Sequence, residues 1–167
     1  MIYLLRRSFA LLVLLTPFSA FAGDHFRIFF VNETDNRLHL TDSTDDCMYG
    51  MAEFHSSYIK PTDDTGEPKK YELETKKSGG CFFKHSSYSF HTKLVTKVNI
   101  GGKIQEHDIE LFKVYGNSSG ADNLAKAKNI NTANMETYGL CLETKETLQK
   151  TKDPIYWFKV QKSPCED

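Results

Sequence analysis

The stretch FFKHSSYSFHTKLVTKVNIGGKIQEHDIELFKVY, from Phe82 to Tyr115, decides the fold. Up to Ile100 the even positions carry Phe82, Tyr88, Phe90, Leu94, Val98 and Ile100. The odd ones carry His85, Ser87, Ser89, His91, Lys93, Lys97 and Asn99. Successive side chains of a strand point to opposite faces, so an apolar period of two predicts a half-buried strand. Gly101-Gly102 between extended flanks is the signal of a two-residue hairpin turn, and Lys103 to Tyr115 is expected to return as the antiparallel partner. His85 and His91 fall on the polar face, facing solvent or a polar neighbour. Six residues of strand separate them by roughly 20 Å, too far to share a metal ion unless the strand bends.

The same alternation continues on either side. HFRIFFV (His25 to Val31) and RLHLT (Arg37 to Thr41) read as two strands joined by a tight connection through NETDN. DSTDDC, Asp42 to Cys47, is an acidic loop. MAEFHSSYIKP puts Phe54 and Tyr58 on one face if it is extended, and Pro61 stops it. KKYELETKK sets Tyr71, Leu73 and Thr75 against charges. Gly116 to Asn134 is small, polar and rich in Asn, Ala and Lys, a long surface excursion with one or two helical turns around Asp122 to Lys128. TYGLCLETKE resumes alternation, although ETKETLQK also suits a short helix, and DPIYWFKVQ is a final strand carrying the only Trp. About eight strands with little helix predict an all-β domain: an antiparallel sandwich or flattened barrel with one long polar loop. Unequal strands and the interrupting loop favour the sandwich.

The first 22 residues, MIYLLRRSFALLVLLTPFSAFA, have Arg6 and Arg7 ahead of a short apolar run and an A-x-A ending, the pattern of a secretory signal peptide. Cleavage before Gly23 leaves residues 23–167 as one exported domain, periplasmic or extracellular. Taking Arg6 and Arg7 from the 21 basic side chains leaves 19 against 22 acidic ones, a net of −3, which provides no positive field for nucleic acid. Cys47, Cys81, Cys141 and Cys165 all lie in the exported part, where disulfides are expected. Of the three possible pairings, Cys47 with Cys81 and Cys141 with Cys165 is preferred, because each closes a local loop.

No motif announces catalysis. There is no G-x-S-x-G elbow, thiol-protease pattern, C-x-x-C pair or phosphate-binding loop, so no catalytic residue, metal ligand or cofactor is assigned. His39 lies near Asp42, Asp45 and Asp46, but their spacing lacks the regular oxygens and Gly of an EF-hand, which reads as a solvated loop. Adjacent aromatics in IFF, CFF and IYWF must face opposite sides of their strands, so either both sheet faces are covered or some rings are displayed. The tripeptides Asn32-Glu33-Thr34 and Asn117-Ser118-Ser119 are glycan-acceptor sequons.

FRIFFVNETDNRLHLTDS, with IKP and SGGCFF downstream, resembles the start of secreted β-sandwich proteins of the aegerolysin type. The resemblance implies a sandwich and contact with membranes. From the residues themselves, the expected function is that of a non-enzymatic binding module meeting another protein, most concretely an inhibitor or immunity-type protein. The alternatives are an effector or lipid-binding sandwich, and a small hydrolase or metal protein. The partner surface is expected on the Gly116 to Asn134 excursion and the polar hairpin face beside it, with Asn117, Asn123, Asn131, His85 and His91 as contact residues.

Overall fold

The computed structural model describes residues 24–62, 67–82, 84–117, 125–147 and 153–164. The segment expected to be a signal peptide, Asn123 and Cys165 lie outside them. Among the described residues ten strands form: β1 (His25–Glu33), β2 (Leu38–Asp46), β3 (Met48–Tyr49), β4 (Ser56–Ile59), β5 (Lys69–Thr75), β6 (Ser87–Ile100), β7 (Lys103–Asn117), β8 (Lys126–Lys128), β9 (Leu140–Thr147) and β10 (Ile155–Lys162). They make two five-stranded sheets, β3-β5-β1-β10-β9 and β4-β2-β6-β7-β8, called here the first and second sheet. All pairings are antiparallel except β1 with β10, which run parallel in the centre of the first sheet. The chain is an all-β sandwich. The two strands of two or three residues account for the excess over about eight.

Alternation builds the core. Phe26, Ile28 and Phe30 of β1, Tyr156, Phe158 and Val160 of β10, and Tyr71 and Leu73 of β5 point inward. From the second sheet they meet Leu38, Leu40, Tyr88, Phe90, Leu94, Phe112 and Val114. Phe30 is central, with ring centroids 5.4 Å from Phe158, 6.0 Å from Phe90 and 6.1 Å from Tyr71. Burying such rings contributes roughly 1.5–3 kcal/mol each. The Cys47–Cys81 disulfide joins the β2–β3 turn to a short 3-10 turn at Gly79–Cys81. Closing a loop with a sequence separation of 34 contributes about 4 kcal/mol in the chain-entropy picture. Cys141 is also disulfide-bonded; the expected pairing with Cys165 falls outside the described residues.

Several local expectations change. β1 and β2 do not pair with each other; the connection between them is a corner that carries the chain from the first sheet to the second. β6 begins at Ser87 rather than Phe82, because the 3-10 turn and the disulfide hold Cys81, leaving Phe82 exposed. Met51–Phe54 is a 3-10 turn that buries Phe54, while Tyr58 points outward, so the two share no face. The acidic segment from Asp42 belongs to β2, with a bulge between Thr41 and Thr44 and Asp42 at φ 53°. The segment expected to be a polar loop is partly structural. Ala125 is buried, β8 pairs with β7, and the helix α1 (Thr132–Thr137) sets Met135 into the core. ETKET within the ambiguous segment is strand, part of β9.

Asn32, wholly buried, holds the corner. Its side-chain amide nitrogen donates to the Asn36 carbonyl (2.8 Å) and to the Ile59 carbonyl at the end of β4 (3.0 Å). Its Oδ1 accepts from the Thr34 amide (3.2 Å) and hydroxyl (2.8 Å). Every polar atom of that side chain is used, so this sequon offers no amide to a glycan in the folded protein. Asn32→Ala strands the carbonyls of Asn36 in the corner and Ile59 in β4 and is expected to cost about 3 kcal/mol, read as a lower urea midpoint at unchanged slope. Asn32→Asp is expected to cost at least as much, since it aims a carboxylate oxygen at the same carbonyls.

Burial holds the Tyr88 phenol well above its ordinary value of 10.0, reinforced by Tyr156, and burial raises Tyr71 against the opposing hydrogen bond with Ser57. A raised acid favours the neutral form in the fold. The stability it provides is therefore complete below the unfolded value near pH 10 and lost as pH climbs above it. Tyrosinate absorbance followed with circular dichroism is expected to show these two rings ionising together with loss of the fold. Their ionisation in a still-folded protein would contradict their burial.

Candidate functional site

The outer face of the second sheet carries a ladder of complementary charge. On β7, Glu106, Asp108 and Glu110 alternate, so all three side chains point the same way. The apolar residues then switch parity, from Ile109 and Leu111 to Phe112 and Val114. A bulge opposite Thr92 and Lys93 allows the switch, burying Leu111 and Phe112 together. Each carboxylate meets a basic partner, His91 from the adjacent β6 and Arg37 and His39 from β2 and its approach, reaching across β6. Arg37 contacts Glu106 at 2.6 Å, His39 contacts Asp108 at 2.7 Å, and His91 contacts Glu110 at 2.5 Å. Lys93 pairs with Asp42 at 2.7 Å; that hydrogen bond holds the Asp42 carboxyl below, and the Lys93 ammonium above, its usual range.

His39 is the most enclosed member. Its ring stacks on Tyr58 at 4.3 Å, and Arg37 lies 4.8 Å over the other partner of that stack, the Tyr58 ring. With Nδ1–H donating to Asp108, Nε2 is left to accept from the Ser56 hydroxyl, 3.2 Å away. Asp108, His39 and Ser56 thus stand in the atom order of a proton relay, on β7, β2 and β4. Their chemistry is limited by place. The trio lies on a sheet's outer face, and acyl transfer also needs donors aimed at the developing oxyanion.

From the Asp108 and Glu106 rungs of this ladder outward, the hairpin leaves the body of the sandwich. Lys97–Ile100 and Lys103–Asp108 are exposed on both faces, a two-stranded ribbon reaching about 13 Å past the body. Gly101 and Gly102, at φ 59° and 81°, form its tip, the conformation that a tight hairpin demands. Val98 and Ile100 continue the inward face of β6 past the edge of the opposing sheet. They are therefore 41% and 50% exposed instead of buried, and Ile104 on the other face is 72% exposed. Among the described residues, β6 beyond the Val95–Arg37 hydrogen bond and β7 over Lys103–Asp108 pair only with each other.

The expected contact residues lie at the opposite end. Ser87 pairs with Asn117, so His85, exposed just before β6, and Asn117 share the end remote from the tip. The Asn117 amide donates to the Tyr115 hydroxyl at 3.0 Å. Asn131 accepts from the Asn134 amide at 3.0 Å as the N-cap of α1, which gives it a structural task. His91 is in the ladder. His39 pairs not with the nearby aspartates of β2 but with Asp108, 69 residues away. Its signal was present as alternation of opposite charge on Arg37-x-His39 and Glu106-x-Asp108-x-Glu110, but the register that joins them was not. Among the described residues, no group of three or more His, Cys, Asp or Glu side chains could hold a metal ion, and no helix is long and apolar enough to cross a membrane. No protein-family model matches the chain, and no curated protein matches it in sequence.

Proposed function

We propose that the chain is an exported, non-enzymatic binding module that engages another protein through the ribbon of Lys97–Asp108, in the manner of an inhibitor or immunity-type protein. The observation that carries this reading is the ribbon's exposure. A two-stranded ribbon with apolar side chains on both faces is marginal alone in water, and here Val98, Ile100 and Ile104 stay uncovered. Its free edges offer backbone groups to a partner strand, and its side chains offer an apolar wedge. The signal-peptide pattern and the disulfides support export.

The test uses the mature chain as bait against the exported proteins of its source, then measures the captured partner by calorimetry. Ile100→Ser with Ile104→Ser is expected to keep the melting temperature within about 2 °C and to weaken that complex at least tenfold, about 1.4 kcal/mol or more. Unaltered affinity, or co-sedimentation with lipid vesicles in place of a protein partner, would overturn the assignment.

A second reading, a small hydrolase, is favoured by the Asp108–His39–Ser56 order. A fluorophosphonate probe separates the two. The binding-module reading expects no adduct, whereas a stoichiometric adduct on Ser56 that disappears in His39→Ala would make the ladder an active site.

A further inference from the structure

The outer face of the first sheet, remote in the topology from the ribbon, carries a different arrangement. Phe29 on β1 and Trp157 on β10 are register partners whose side chains point outward. Their rings stack with centroids 4.4 Å apart and planes 16° apart. Stacked rings on adjacent strands stand up from the sheet like two plates. One indole face is covered by Phe29, and the other is turned toward β9, where Lys145 is the register partner of Trp157. There lies a 340 Å³ hollow lined by Val31, Glu143, Lys145, Thr147, Trp157 and Lys159. This is the size of a small-ligand site, which spans roughly 300–1,000 Å³.

The rim narrows the ligand class. Lys159 is held between Glu33 (3.2 Å) and Glu143 (3.8 Å), so one ammonium is fixed in place beside two carboxylates. The lining holds two lysines and Glu143, and Glu33, outside the lining but paired with Lys159, brings the local charge to balance, which offers little to a phosphate or a polyanion. The carboxylate of Glu143 requires donors from a ligand, the lysines require acceptors, and the Thr147 hydroxyl serves either. A flat aromatic wall adds an apolar face. A neutral pyranose meets all three demands at once: its C–H face lies on the indole, and its hydroxyls both donate and accept. We infer that the Trp157 hollow is a glycan-binding site for neutral sugars, with Trp157 as the stacking platform and Glu143, Lys145, Thr147 and Lys159 as the hydroxyl-binding rim. The aromatics displayed by IFF and IYWF acquire a use on this face, independent of the partner proposed for the ribbon.

Trp157 is the only tryptophan in the chain, so its fluorescence reports directly on its free face. The experiment screens the mature protein on an array of neutral and acidic oligosaccharides. It then titrates chito-oligosaccharides, cello-oligosaccharides and oligogalacturonates in solution, with inorganic phosphate as a control. A saturable shift in Trp157 emission is expected with a neutral oligosaccharide and none with phosphate. Glu143→Gln and Thr147→Val, both at the sheet surface, are expected to weaken that binding about tenfold while leaving the melting curve unchanged. Trp157→Phe, read by saturation-transfer NMR, is expected to weaken it further. Retention of no sugar by the array, binding of acidic sugars alone, or full affinity in Glu143→Gln and Thr147→Val would each overturn the assignment.

Discussion

The sandwich turns on a single buried amide. Strand β1 delivers the chain to the end of the first sheet and must send it to the second within four residues, Thr34–Arg37, of which Thr34 is buried and Asn36 and Arg37 are half-buried. Asn32 resolves this by acting as a piece of extra backbone, with two donors and one acceptor answering the corner and the end of β4 at once. Its own backbone is closed by Thr62, whose amide donates to the Asn32 carbonyl at 2.6 Å and whose hydroxyl accepts from the Asn32 amide at 3.1 Å. Apolar burial supplies most of the energy that holds two sheets together, but it is non-directional and tolerates a slip of one element over another. The Asn32 network has direction, and it registers β1, β2 and β4 against each other before any outer-face chemistry can be placed.

The parallel pairing of β1 with β10 has the next largest consequence. It sets the first strand beside the last in the middle of the first sheet, with β5 and β9 on either flank. Both faces of this central pair are therefore occupied: Phe30 and Phe158 stack inward, while Phe29 and Trp157 stack outward. Adjacent aromatics in IFF and IYWF follow from this. A strand with neighbours on both edges can support rings on both faces, because each outer ring finds its partner across the pair, Phe29 against Trp157.

Much of the architecture was legible because period-two alternation is a local signal. The strands from Lys69, Ser87, Lys103 and Ile155 all show it, and the glycine pair marked the hairpin turn. Parity was misleading where the chain outruns its partner sheet: Val98 and Ile100 keep the core pattern of Tyr88, Phe90 and Leu94, yet among the described residues they are left exposed. Nor does alternation carry information on which strands adjoin. The corner at Asn32 therefore resembled a simple strand-to-strand connection, and the ladder joining Arg37, His39 and His91 to Glu106, Asp108 and Glu110 was visible only as three separate charged alternations. The outer Phe29–Trp157 pair was hidden for the same reason, since it depends on a parallel register between residues 128 positions apart. Met135 and Ala125 show the opposite failure: isolated apolar residues in a polar segment have no period to reveal that they reach the core.

The ladder and the ribbon make physical sense as one device. A free two-stranded ribbon frays, and apolar residues at its tip would tend to fold it back onto the body. Three partnered carboxylates at alternate positions of β7 oppose this, gripping the ribbon's root across β2 and β6 just where core packing ends. Individually such half-exposed pairs contribute little, about 0–1 kcal/mol each. Their value lies in geometry, because successive contacts along one strand fix its direction as well as its position. Leu94 and Ile109 anchor the inner face at the same level, so the root is held from both sides and the tip is held by neither. That division, a clamped root and an uncovered apolar end, is the geometry on which the contact role proposed for the ribbon rests.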